Sequence, residues 1–171
     1  MTGDALLNAW DETLARRASD AAVLDTRRAV LRTFGDIERE ADQIANCSLT
    51  NLDVGSVVAI QLGNHPAWPA ALLACLRREL VAVPLERTIT EQERETALEI
   101  CHAGALITDA GADVSITSRA AQPPEWGERV PVLLKLTSGT TAAPRAIRFR
   151  SEQLLADCEQ ICDTMGITER D

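Results

Sequence analysis

The chain has 171 residues, enough for one domain with a full core, and carries 26 Asp+Glu against 17 Lys+Arg for a formal net charge of −9. That acidic balance argues against a nucleic-acid partner, and no apolar run approaches the roughly 18 residues of a membrane span. With Trp10, Trp68, Trp126, Phe34 and Phe149 its only aromatics, the core must be built from Ala, Leu, Val and Ile. Met1 to Trp10 lack the basic start of a secretory signal, so a soluble, cytoplasmic chain is expected.

Residues 5–18 have helical periodicity, with Ala5, Leu6, Trp10 and Leu14 on one face. The short runs 22–25 and 29–33 flank a Thr26–Arg28 turn and predict a hairpin. Thr33 and Asp36 have the spacing of a capping box, opening a helix to about Cys47. SVVAIQL (56–62) reads as a buried strand. Asn64 and Pro66 start a helix to about Glu79, with Pro69 confined to its first turn. LVAVPL (80–85) is a strand, and Thr90 with Glu93 caps a helix to about His102. ALITD (105–109) and VSITS (114–118) read as strands, and 119–131 as loop. PVLLKL (131–136) is a strand, AIRFR (146–150) a short one, and a last helix runs from Ser151 to Gly166. The alternation from 52 to 109 predicts an α/β fold, a largely parallel sheet with helices on both faces, as one domain over 1–171.

Five cysteines with no CxxC read as buried free thiols in a reducing compartment. Cys158 and Cys162, four apart on one helix face, read either as two small core residues or as a metal-binding pair, with the core reading preferred. His65 and His102 are remote from each other, and no metal site is expected.

The chemistry concentrates in LTSGTTAAPRA (136–146). Thr137, Ser138, Thr140 and Thr141 each offer a hydroxyl donor, and Gly139 lets a ligand approach the main chain. Between Lys135 and Arg150 the charged residues are Lys135, Arg145, Arg148 and Arg150, with no acid. Local positive charge in a negative chain fits a bound anion, phosphate in the simplest case; a solvated Ser/Thr loop is the alternative. Neither GxxxxGK[ST] nor GxGxxG is present.

This run resembles the phosphate-loop signature of the adenylate-forming superfamily, [ST]SGTTGxPKG, found in acyl-CoA synthetases, fatty acyl-AMP ligases, luciferases and nonribosomal-peptide adenylation domains. Thr137, Ser138, Gly139, Thr140, Thr141 and Pro144 match in order, whereas Ala142 and Ala146 replace glycines and Arg145 replaces the lysine. RTFGDIEREADQIA (32–45) and GNHPAWPAALLACLRRELVAVPLE (63–86) are similar to earlier family segments, and Ser151 stands where many members carry a His.

The resemblance implies the N-terminal part of an ATP-dependent ligase. Such an enzyme joins a carboxylic acid to ATP as an acyl-adenylate, then transfers it to CoA or to the pantetheine of an acyl-carrier protein. Thr137, Ser138, Gly139, Thr140 and Thr141 would hold the β- and γ-phosphates and Arg145 would supply the cation. In the family the Mg²⁺-binding glutamate and the mobile lysine lie downstream of this loop, so catalytic residues are not assigned and the chain alone is expected to be inactive. A catalytically degenerate module on the same scaffold is the rival reading, and self-association through an uncovered apolar face is expected.

Overall fold

A computed structural model describes residues 4–137 and 145–168. Helix α1 (Ala5–Arg17) starts at Asp4, whose Oδ1 accepts the N–H groups of Leu6 and Leu7 at 3.0 and 3.1 Å. Strands β1 (Ala21–Leu24) and β2 (Val30–Thr33) pair antiparallel, as the hairpin reading expects. Asp25 shapes the turn by accepting from the backbone N–H groups of Arg27 and Ala29, each at 2.8 Å.

Helix α2 (Phe34–Gln43) opens with the expected capping box: Asp36 N–H donates to Thr33 Oγ1, and Thr33 N–H donates back to the Asp36 carboxylate. The helix does not continue unbroken to Cys47 but passes into a π-helical turn, Ile44–Ser48. Strand β3 (Val57–Gln61) is buried at every position. Helix α3 (Trp68–Arg77) starts later than Asn64, because Pro69 fits only its first turn and His65 caps the residue before it.

Beyond α3 the chain turns through Glu79 at φ +52, and Leu80 N–H reaches Cys75 O at 2.9 Å. It then enters β4 (Val81–Pro84). Helix α4 (Glu91–Ile100), with its own Thr90/Glu93 capping box, leads to β5 (Ala103–Ala110) and β6 (Asp113–Ser118). Strands β7 (Leu133–Thr137) and β8 (Arg145–Phe149) precede α5 (Ser151–Met165), which ends on Gly166 at φ +66.

Six strands form one sheet in the order β6-β5-β3-β4-β7-β8. The inner four are parallel, and β6 and β8 are antiparallel at the edges. Alternation along β3 divides the core into two layers. Val58 and Ile60 pack with α2 and α3, while Val57 and Ala59 pack with Leu98 and Cys101 at the end of α4. The α/β expectation, with helices on both faces of a mostly parallel sheet, therefore holds.

Two readings of the cysteines need correction. Cys75 and Cys101 are buried and free, and burial pushes their thiols up to about 12 and about 11. Cys47 and Cys158 are exposed and Cys162 is half-buried, so the pair on α5 is not core. The helix that carries them packs along α1 and leaves that side open.

Candidate functional site: the carboxyl edge of the sheet

In parallel α/β sheets ligands gather beyond the carboxyl ends of the strands. Here that edge collects the ends of β5, β3, β4 and β7 side by side. Gln61, ending β3, donates from Nε2 to Glu86 O at 3.0 Å and ties the chain after β4 to the sheet. The His65 ring lies between two backbone groups. Its Nδ1 accepts from Ala67 N–H at 3.1 Å, so Nε2 carries the proton and donates to Gly111 O, also at 3.1 Å. Asp109 pairs with Arg87 at 3.1 Å. Both histidine nitrogens are thus engaged in holding the hairpin after β5 against the start of α3. These groups carry no signature spacing in the sequence, because they meet only once three parallel strands are aligned.

Further along the edge, Thr137 ends β7 and faces Arg145, the first residue of β8, with Thr137 Oγ1 donating to Arg145 O at 3.2 Å. The hydroxyl run therefore leaves a strand and returns to a strand rather than directly to a helix. Ser138, Gly139, Thr140 and Thr141, with Ala142 and Pro144, lie outside the described residues. Lys135 and Arg145 are both exposed, and the register puts them on the same face of the β7–β8 ladder as Thr137. Ala146 lies within β8 opposite Leu136, and its φ is not positive, so the position asks for no glycine.

Arg148, exposed on β8, lies over the Trp126 ring at 5.1 Å. Trp126 in turn donates from Nε1 to Gly55 O at 2.8 Å, pinning the 119–132 loop to the turn before β3. Arg150 does not cap α5 by its charge; its backbone N–H donates to the Gln153 side chain at 2.9 Å.

Beside Thr137 an open groove of about 640 Å³ runs between α4 and β7. Leu85, Ile89, Ala97, Ile100 and Leu136 give it an apolar floor, with Glu86 and Lys135 at its margin. The donor set at the ladder suits phosphate: a hydroxyl, two exposed cations and no carboxylate between Lys135 and Arg150. It does not suit Mg²⁺, because among the described residues no group of three or more His, Cys, Asp or Glu side chains could hold a metal ion.

A mostly parallel sheet with helices on both faces, and a hydroxyl-rich sequence following Thr137 at the end of β7, match the fold of the N-terminal subdomain of adenylate-forming enzymes. The chain belongs to the AMP-binding enzyme family, whose model matches residues 10–128. The match ends before the hydroxyl run and so rests on the scaffold independently of it.

Among curated proteins, the hybrid PKS-NRPS synthetase xenE of Xenoacremonium sinensis is 25% identical over 191 residues, covering 96% of this chain and 5% of that protein. The polyketide synthase-nonribosomal peptide synthetase pyiS of Pyricularia grisea is 24% identical, with the same coverage of 96% and 5%. Among solved structures, o-succinylbenzoate coenzyme A synthetase of Bacillus subtilis in complex with AMP superposes with a TM-score of 0.72 at 20% identity, covering 95% of this chain and 47% of that one. VinN with 3-methylaspartate gives 0.72 at 16%, covering 96% and 52%. The chain thus spans a small part of the curated relatives and about half of the solved chains.

No helix among the described residues is long and apolar enough to cross a membrane.

Proposed function

We propose that this chain is the N-terminal part of a cytoplasmic ligase that activates a carboxylic acid with ATP. In that reaction a carboxylate oxygen attacks the α-phosphorus, the bond between the α- and β-phosphates breaks, and pyrophosphate leaves. The acyl group of the resulting acyl-adenylate then passes to a thiol, that of CoA or a carrier-bound pantetheine.

The supporting observation is the β7–β8 ladder at the carboxyl edge, with Thr137 opposite Arg145 on either side of SGTTAAP. Thr137, Ser138, Thr140 and Thr141 would donate hydroxyls to the β- and γ-phosphates. Gly139 would let the backbone N–H groups approach. Arg145, with Lys135 on the same ladder face, would meet the charge that develops on the leaving pyrophosphate. Mg²⁺, when bound, would neutralise phosphate charge in the complete enzyme, and no step is assigned to it on this chain.

The test is pyrophosphate release from ATP by purified residues 1–171, with Mg²⁺ and a panel of carboxylic acids, alongside ATP binding by the same preparation. Saturable ATP binding without carboxylate-dependent turnover is expected. Losing one preorganised stabiliser costs about 10²–10³ in rate, and among the described residues no metal-binding cluster of His, Cys, Asp or Glu is present to stabilise the leaving pyrophosphate. Turnover well above background would reveal a complete active site. Absence of ATP binding would favour the degenerate scaffold.

A further inference from the structure

Among the residues of α5 only Ser151 is buried. Three sulfur-bearing side chains stand along this helix, Cys158, Cys162 and Met165. At 3.6 residues per turn these positions fall within about 60° of arc, on consecutive turns of one side. Cys158 is exposed and Cys162 half-buried, both are free, and Met165 is 70% exposed.

Four residues apart, the two thiols stand on adjacent turns of the helix. Partial burial, the neighbouring Cys162 and the acidic Glu159 and Asp157 together push the Cys158 thiol above its ordinary range. Between Ser151 and Met165 there is no Lys or Arg to stabilise a thiolate. This environment does not make a nucleophile. A methionine 70% exposed, on the same side as one exposed and one half-buried thiol, also does no packing that a leucine would not do better.

We propose that Cys158, Cys162 and Met165 form a surface site for Cu(I), bound by two thiolates and one thioether. Soft sulfur donors select a soft cation. A tetrahedral Zn²⁺ site would need further nitrogen, oxygen or thiolate ligands, and no group of three or more His, Cys, Asp or Glu side chains converges among the described residues. Each thiol releases its proton to solvent as its sulfur–copper bond forms, and the copper stays in the +1 state throughout. The site is independent of the nucleotide reading, because it lies on α5 rather than on the β7–β8 ladder.

The experiment is an anaerobic titration of the reduced chain with Cu(I) against the chromogenic chelator bicinchoninate, repeated with Zn²⁺ and a zinc indicator. The expected result is one Cu(I) per chain withheld from the chelator. Cys158→Ser and Cys162→Ser should each weaken binding at least about tenfold, and Met165→Leu by a smaller factor. Cys47→Ser, which alters the other exposed thiol, should leave it unchanged. Circular dichroism of each variant checks that α5 is intact. Full binding by the Cys158→Ser/Cys162→Ser double variant would overturn the proposal, as would no competition by the wild type, or tighter binding of Zn²⁺ than of Cu(I).

Discussion

The centre of the sheet and its C-terminal flank are built to different standards. In β3 every residue is buried, and six of the ten residues of α3 are buried beneath it. In β8 four of five residues are exposed, and α5 buries Ser151 alone. The central unit is closed on both faces by its own helices. The flank bears the candidate phosphate-binding residues, yet rests on a few anchors: the Trp126–Gly55 hydrogen bond, Arg148 over Trp126, and Ser151 donating to the N-cap carboxylate of Asp4. Scaffold and site are thus separable in energy, and binding regions drawn from the less stable end of a structure are common.

The largest expected effect lies at the centre. Ile60, fully buried in β3, should cost about 2–5 kcal/mol when changed to Ala, whereas Ile147→Ala on β8, 46% exposed, should cost about 1 kcal/mol or less. Equal losses in denaturant unfolding would abolish the distinction. Trp126→Ala tests the anchor between the two regions and should cost about 3 kcal/mol by the same measurement. A loss within experimental error would mean the flank is held by something other than that indole.

Glu79→Gly acts in the opposite direction. Its φ of +52 suits glycine, so the change should stabilise the chain by about 0.5–1 kcal/mol, read as a higher denaturation midpoint. The smallest effect concerns the helix caps. Backbone and then hydroxyl hydrogen bonds from Thr33 and Thr90 hold the carboxyls of Asp36 and Glu93 below their ordinary range. Stability from these caps is present above the ordinary carboxylate range and is lost as pH falls through the lowered values. Asp36→Asn with Glu93→Gln should flatten that acid limb in pH-dependent unfolding. An unchanged slope would remove the caps from the acid response.

Much of the centre was legible because local chemistry and burial agree there. The two capping boxes and the buried run of β3 each leave a signature within a few residues, as does Gly166 at the end of α5 on the flank. The partnership of β7 with β4 left none, since it joins segments about fifty residues apart across an intervening hairpin. The later start of α3 depended on the His65 ring reaching the backbone of Ala67, which spacing does not announce. The cysteines of α5 were misread for a related reason. Helical periodicity shows that Cys158 and Cys162 share a face, but not whether anything covers it.

At the site, Thr137 and Arg145 emerge as partners on one ladder, while the run between them is argued from its residues. The central claim is that this flank holds nucleotide phosphate, and the direct measurement is calorimetric titration of residues 1–171 with ATP, comparing wild type, Arg145→Ala and Ile147→Ala. The account predicts saturable binding, weakened by about 1.5–3 kcal/mol in Arg145→Ala through loss of one charge-assisted contact and unchanged in Ile147→Ala. Equal affinity in wild type and Arg145→Ala would contradict it.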